Sequence, residues 1–159
     1  MINTRFLNIY KSNPRKARRE LRREQQKRED LARSLKGRNE AIESYKAYGI
    51  EKSSEINNTY IKQKELLDMI CNDAFQSHNN LRTNPMADDL SRCIADDLDN
   101  SIYQARQLLS DTIENIRERR RDRLSHEISD NISDLNERYA NDSMALMNKY
   151  ALNKLSVDY

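Results

Sequence analysis

Apolar residues recur at helical spacing through two long runs of this chain, each free of internal proline and each opening on an Asn-Pro pair, Asn13-Pro14 and Asn84-Pro85. Asn can cap a helix, and Pro suits the first helical position. Between the runs lies one polar cluster that reads as a turn, Ser77-His78-Asn79-Asn80-Leu81-Arg82-Thr83. The pattern predicts helices over about 14–78 and 85–155 with a turn at about 79–84. Near-equal lengths on either side of one short turn predict an all-α fold, two long antiparallel helices forming a coiled-coil-like helical hairpin. That hairpin is expected as a single domain over 14–155, after a flexible segment 1–13 and before a tail 156–159.

The first helix carries a seven-residue repeat. Leu21, Arg28, Leu35, Ile42, Gly49, Ile56, Gln63 and Ile70 form one line, and Ala17, Glu24, Leu31, Arg38, Tyr45, Lys52, Thr59 and Leu66 its partner. This is a coiled-coil seam with polar interruptions. The second helix keeps a different beat, with Ile102, Ile113, Leu124, Leu135 and Leu146 spaced eleven apart. Seven implies a left-handed path and eleven a nearly straight or right-handed one. The two helices are therefore expected to match imperfectly, with a third helix or a partner chain as the remedy.

A fold centred on Arg82 pairs Ile70 with Ile94, Leu66 with Leu98, Ile56 with Leu108 or Leu109, Leu31 with Leu135 and Cys71 with Cys93. Phe75, Ile61, Leu67, Ile113 and Ile132 fall off that seam and are expected to stay wet. Gly37 and Gly49 weaken the first helix by about 1 kcal/mol each relative to Ala. A break near Gly49 gives the alternative architecture, a three-helix bundle.

Composition narrows the field. Of 159 residues 34% are charged and only two are Gly and two Pro, which leaves too few turn formers for a sandwich, a barrel or a doubly wound sheet. No window approaches the 18 or so apolar residues of a membrane span. The N-terminal Met1–Tyr10 lacks a continuous apolar stretch and a small-residue cleavage site. A cytoplasmic location is expected on that basis, with export by a signal-peptide-independent route as the other course. Net charge is only +2, so the chain does not repel itself as disordered segments do.

Charge is unevenly distributed. Lys11–Arg38 holds twelve Lys or Arg against four Asp or Glu, and Arg15, Lys16, Arg18 and Arg19 fall in opening helical turns where the macrodipole prefers carboxylates. Phosphates of nucleic acid, an acidic protein, or simply solvent and the acidic residues of the second helix would each answer that charge. A second basic knot spans Arg117 to Arg123, where Glu114 and Arg117 make a useful pair and Arg120 lies on the apolar stripe. Asp88, Asp89, Asp96, Asp97 and Asp99 read as helix-start electrostatics. They lack both a calcium loop and the Glu-x-x-His pairs of di-iron bundles. Cys71, His78 and Cys93 flank the turn without zinc spacing, and reduced thiols are expected. His126 reads as an ordinary helix residue. No phosphate loop, nucleophile elbow or Cys–His pair appears, so neither enzyme activity nor a cofactor, metal or small-molecule substrate is expected.

The stretch Tyr103-Gln104-Ala105-Arg106-Gln107-Leu108-Leu109, running into Ile113 through Tyr139, together with the basic first helix, resembles the small helical accessory proteins that partner LXG-type toxins of bacterial type VII secretion. The resemblance implies an adaptor or targeting chaperone that binds the long-helix domain of a secreted toxin. Interfaces favour Tyr and Arg, which marks Arg15, Arg18, Arg19, Arg22, Tyr45, Tyr48, Tyr103, Arg106, Arg117 and Arg120 as partner-binding residues. Two other expectations stand beside it: nucleic-acid binding through 15–38, and self-association as a structural coiled coil or homodimer.

Overall fold

The computed structural model describes residues 13–155, with side chains through Ala151; the segment 1–12 and the tail 156–159 lie outside the described residues. The fold is an all-α helical hairpin of α1 (Pro14–Ser77), a short α2 (Asn79–Thr83) and α3 (Asp89–Leu155). By internal packing the chain divides into two units. One joins the chain up to Lys46 with Ser129 onward, and the other is Ala47–Ile128.

Helix α1 opens as its sequence dictates, with the Asn13 side-chain oxygen accepting from the Lys16 amide at 3.1 Å. The turn departs from expectation. Asn79–Thr83 is helical, and His78, with φ −110° and ψ 5°, is the single bend between α1 and α2. Asn84 does not cap the last helix; its Oδ1 accepts from the Met86 amide at 2.9 Å and closes a tight turn around Pro85. The cap is Asp88, whose Oδ1 accepts from the Ser91 amide at 2.8 Å. A carboxylate at this helix start is favoured by the same amides that solvate it.

Helix α1 runs unbroken through Gly49, so the three-helix alternative falls away. Gly49 has a packing reason to be there: a Cβ would lie 2.5 Å from Ile128 Cδ1, whereas one on Gly37 would meet nothing within 4 Å. A residue without a side chain lets the two helices approach at that point.

Both helices keep the eleven-residue beat, which corrects the heptad assigned to α1. The shielded positions of α1 run Lys27, Arg38, Gly49, Tyr60, Cys71 and, alongside, Ser34, Tyr45, Ile56, Leu67, His78. On α3 they run Ile102, Ile113, Leu124, Leu135, Leu146 and Arg117, Ile128, Tyr139, Tyr150. A seven-residue step falls about 20° short of two full turns. The first heptad line therefore sits on the seam only in mid-helix, at Ile42, Gly49, Ile56 and Gln63, and slides off at both ends. There Leu21 and Ile70 are 56% and 55% exposed. With one period on both helices, the expected mismatch does not arise.

The register also shifts. His78 bonds Asp99, Lys64 bonds Ser110 and Arg38 bonds Asn136, so the hairpin centres close to residue 88 rather than Arg82. Leu67, Ile113, Ile132 and Phe75, expected to stay wet, are buried or half-buried, while Ile61 does remain exposed. The supposed seam residues Leu66, Ile70, Ile94, Leu98, Leu108 and Leu109 are the exposed ones. Cys71 is buried and Cys93 exposed, both free, so they do not face each other across the seam.

A candidate docking face beside a polar seam

Within the unit Ala47–Ile128 the helices are clasped largely by polar side chains. Near the turn, His78 is 8% exposed. Its Nδ1 donates to the Ala74 carbonyl at 2.8 Å and its Nε2 lies 2.6 Å from Asp99 Oδ1. Both ring nitrogens thus face oxygen atoms that accept hydrogen bonds. Arg82 adds hydrogen bonds to Asp99 at 2.7 Å and to Asp96 at 2.6 Å. The Arg82 guanidinium, and then His78, hold the Asp99 carboxyl below the ordinary carboxylate range.

One step along the hairpin, Arg106 bonds Asp68 at 2.6 Å, and Lys64 donates to Ser110. Arg117 then lies over the Tyr60 ring, 4.1 Å from its centroid, while paired with Glu114. A hydrogen bond to Glu114 keeps the Tyr60 hydroxyl protonated to higher pH than usual. Arg117 Nε finds no acceptor; stacking over the ring supplies part of what is missing. The Glu114–Arg117 pair was legible at three-residue spacing.

The other unit is held in the same manner. Arg38 reaches Asn136 at 2.6 Å and lies 5.2 Å from the Tyr139 ring centroid, and the Tyr150 hydroxyl donates to Asp30 at 2.6 Å. The Tyr150 hydroxyl, then Gln26, hold the Asp30 carboxyl low.

Apolar residues displaced from the seam of Ala47–Ile128 collect on one side of it. Leu66, Ile70, Ile94, Leu98, Leu109 and Ile116 are all exposed. Each lies one position before a shielded residue: Leu67, Cys71, Ala95, Asp99, Ser110 and Arg117. One residue is a rotation of about 100°, in the same sense on both helices. Because the helices are antiparallel and face each other, equal rotations from their seams lead to the same side of the hairpin. The result is a continuous apolar band on one face, built from both helices.

The residues singled out from sequence distribute differently. Tyr48 is on the rim of this unit with its hydroxyl 3.5 Å from Glu127. Tyr103 is exposed, and its ring packs at 4.9 Å against Phe75. Arg106 and Arg117 are engaged by Asp68 and Glu114, whereas Arg120 is exposed and makes no ion pair with a described residue. Arg15, Arg18, Arg19 and Arg22 are exposed and Tyr45 half-buried in the other unit. The apolar band went unrecognised because the α1 heptad and the pairing about Arg82 assigned most of its members to the seam. Counting elevens on α1, with Arg38, Tyr60 and His78 admitted as seam residues, would have exposed it. Among the described residues no cluster of three metal-ligating side chains occurs, and no helix is long and apolar enough to cross a membrane. No protein family, curated protein or solved structure matches this chain.

Proposed function

We propose that the protein is a non-enzymatic interaction module whose hairpin docks its apolar band against another long-helix surface, in the manner of an adaptor or targeting chaperone. One observation carries this. Six large aliphatic residues lie open to solvent on one face, beside a seam closed mainly by polar pairs. Contiguous apolar surface of that kind marks interaction sites rather than ordinary exposure. An amphipathic helical partner fits it by laying residues three and four apart along the band. The partner class implied by the sequence resemblance, the helical domain of a secreted toxin, has that character.

The test is a pair of face variants, Leu98→Glu and Leu109→Glu, compared with wild type for helicity, hydrophobic-dye binding and retention of a helical partner. Helicity should persist while dye binding and partner retention fall together. A folded wild-type protein that binds neither dye nor partner would remove the proposal.

A second function has its own observation. Arg15, Arg18, Arg19 and Arg22 are exposed and make no ion pair with described residues, as a phosphate-tracking surface requires. Nucleic-acid binding there would weaken steeply with salt; affinity unchanged between 50 and 300 mM salt, or no binding at all, would exclude it.

A further inference from the structure

We propose that the segment 1–12 folds back over the hairpin and lays its apolar residues on a second exposed face, at the end away from the turn. Every residue invoked belongs to the unit that joins the chain up to Lys46 with Ser129 onward, so the proposal does not rest on the docking function above.

On this unit the displaced apolar residues come one position after shielded ones. Leu21 follows Glu20 and Leu35 follows Ser34, with exposed Arg28 between them after Lys27. On α3, Ala140, Met144, Met147 and Ala151 follow Tyr139, Ser143, Leu146 and Tyr150. One step is again a rotation of about 100°, in the same sense on two antiparallel helices. These exposed side chains therefore share one side of the hairpin, and the Arg28 stem can lie along it.

Ala17 says what covers that side. It is 0% exposed and lies one turn before Leu21, on the shoulder of the same side. A helix cannot close off one of its own methyl groups so fully, and α3 does not reach this one. Counting outward from the Tyr150–Asp30 bond, Ala17 stands thirteen residues beyond Asp30, whereas α3 ends five residues beyond Tyr150. The cover over Ala17 therefore comes from a segment beyond the described residues.

Of the two such segments, 1–12 is placed and built for the whole face. It joins α1 at Asn13, whose carbonyl oxygen accepts from the Ala17 amide at 3.1 Å. Pro14 disfavours helical geometry in the residue before it, so the chain does not run straight on from α1. Ile2, Phe6, Ile9 and Tyr10 stand at spacings of four, three and one, which share one face of a helix. Folded back as a helix, twelve residues run about 18 Å, over Ala17 and Leu21. Extended, they reach about 40 Å, past the level of Met147. The tail 156–159 offers only Val157 and Tyr159, enough for Ala17 but not for a face that continues to Leu35 and Met144.

Methionine-methyl NMR on the full chain tests the proposal, with a nitroxide on Asn3→Cys in a Cys93→Ser background, where the remaining Cys71 is buried. The label should broaden Met147 and Met144, while Met69 and Met86, which belong to the other unit, stay sharp. Phe6→Asp with Ile9→Asp should abolish the broadening and raise hydrophobic-dye binding at unchanged helicity. Methyl signals that stay sharp, or broadening that survives those substitutions, would overturn the proposal. Broadening that also appears when labelled chains are mixed with unlabelled ones would give the face to a second copy instead. Methionine shifts that move on removal of 156–159 and not on the substitutions would give it to the tail. None of these outcomes bears on the band of Ala47–Ile128, which Leu98→Glu tests separately.

Discussion

Asp99 shows how one residue fastens the end of the hairpin. Arg82 donates to it and His78 Nε2 lies 2.6 Å away, and its carboxyl is held below its ordinary value. A carboxylate that is more acidic in the folded than in the unfolded chain stabilises the fold at pH values above the unfolded pKa, and that contribution fades as pH falls through the folded value. Asp99→Asn should therefore lower Tm at pH 7. The difference from wild type should begin to shrink as pH falls below about 4 and vanish once pH passes below the lowered folded value, as followed by circular dichroism melts across pH 2–7. A deficit independent of pH would mean that packing rather than charge fixes this residue.

The two glycines give a second residue-scale comparison. Gly37→Ala should add about 0.5–1 kcal/mol, since the site is open and Ala is the better helix former. Gly49→Ala should gain less, because the new methyl displaces Ile128 Cδ1. Pairing it with Ile128→Val should recover the difference, a non-additivity that denaturant titration of the single and double variants would reveal.

At the level of elements, helix type, length and antiparallel sense were legible from apolar spacing and the scarcity of Gly and Pro. The period of α1 was not. Leu21, Leu35, Leu66 and Ile70 mark out a heptad that the backbone does not honour, while the true seam is carried by Arg38, Lys64 and His78, residues that hydrophobicity does not flag. Long polar side chains can occupy such positions because their stems pack while their heads find partners. The turn was misplaced for a related reason: Ser77–Thr83 is polar enough to be a loop, yet Arg82 and His78 anchor it to α3. The local cap decides where α3 begins. Asp88→Ala should lower Tm by about 2–4 °C, whereas Asn84→Ala, which removes only the turn bond to Met86, should cost less. Equal losses in thermal melts would argue that the whole loop, not the cap, sets the start.

At the level of the molecule, four apolar side chains are buried among the described residues, Ala17, Leu67, Cys71 and Ala95, three of them small. So slight a core gives a lone hairpin little hydrophobic stabilisation. Covering Leu66, Ile70, Leu98 and their neighbours would add apolar burial that the monomer lacks. If a second copy supplies that cover, stability becomes linked to concentration by mass action. Tm should then climb by several degrees between 2 and 200 µM and stop climbing in Leu98→Glu; a concentration-independent Tm in wild type would show that the monomer is stable without cover.

The contrast between the two thiols gives the molecule a clock. Cys93 is open to solvent and Cys71 is closed within the seam, so an alkylating reagent meets one at once and the other only when the helices part. Near the bend at His78 such parting is a local event, distinct from global unfolding. The slow phase of thiol modification therefore counts breathing of the hairpin's closed end. It should quicken in His78→Ala and in Asp99→Asn, and lengthen whenever the adjoining face is covered.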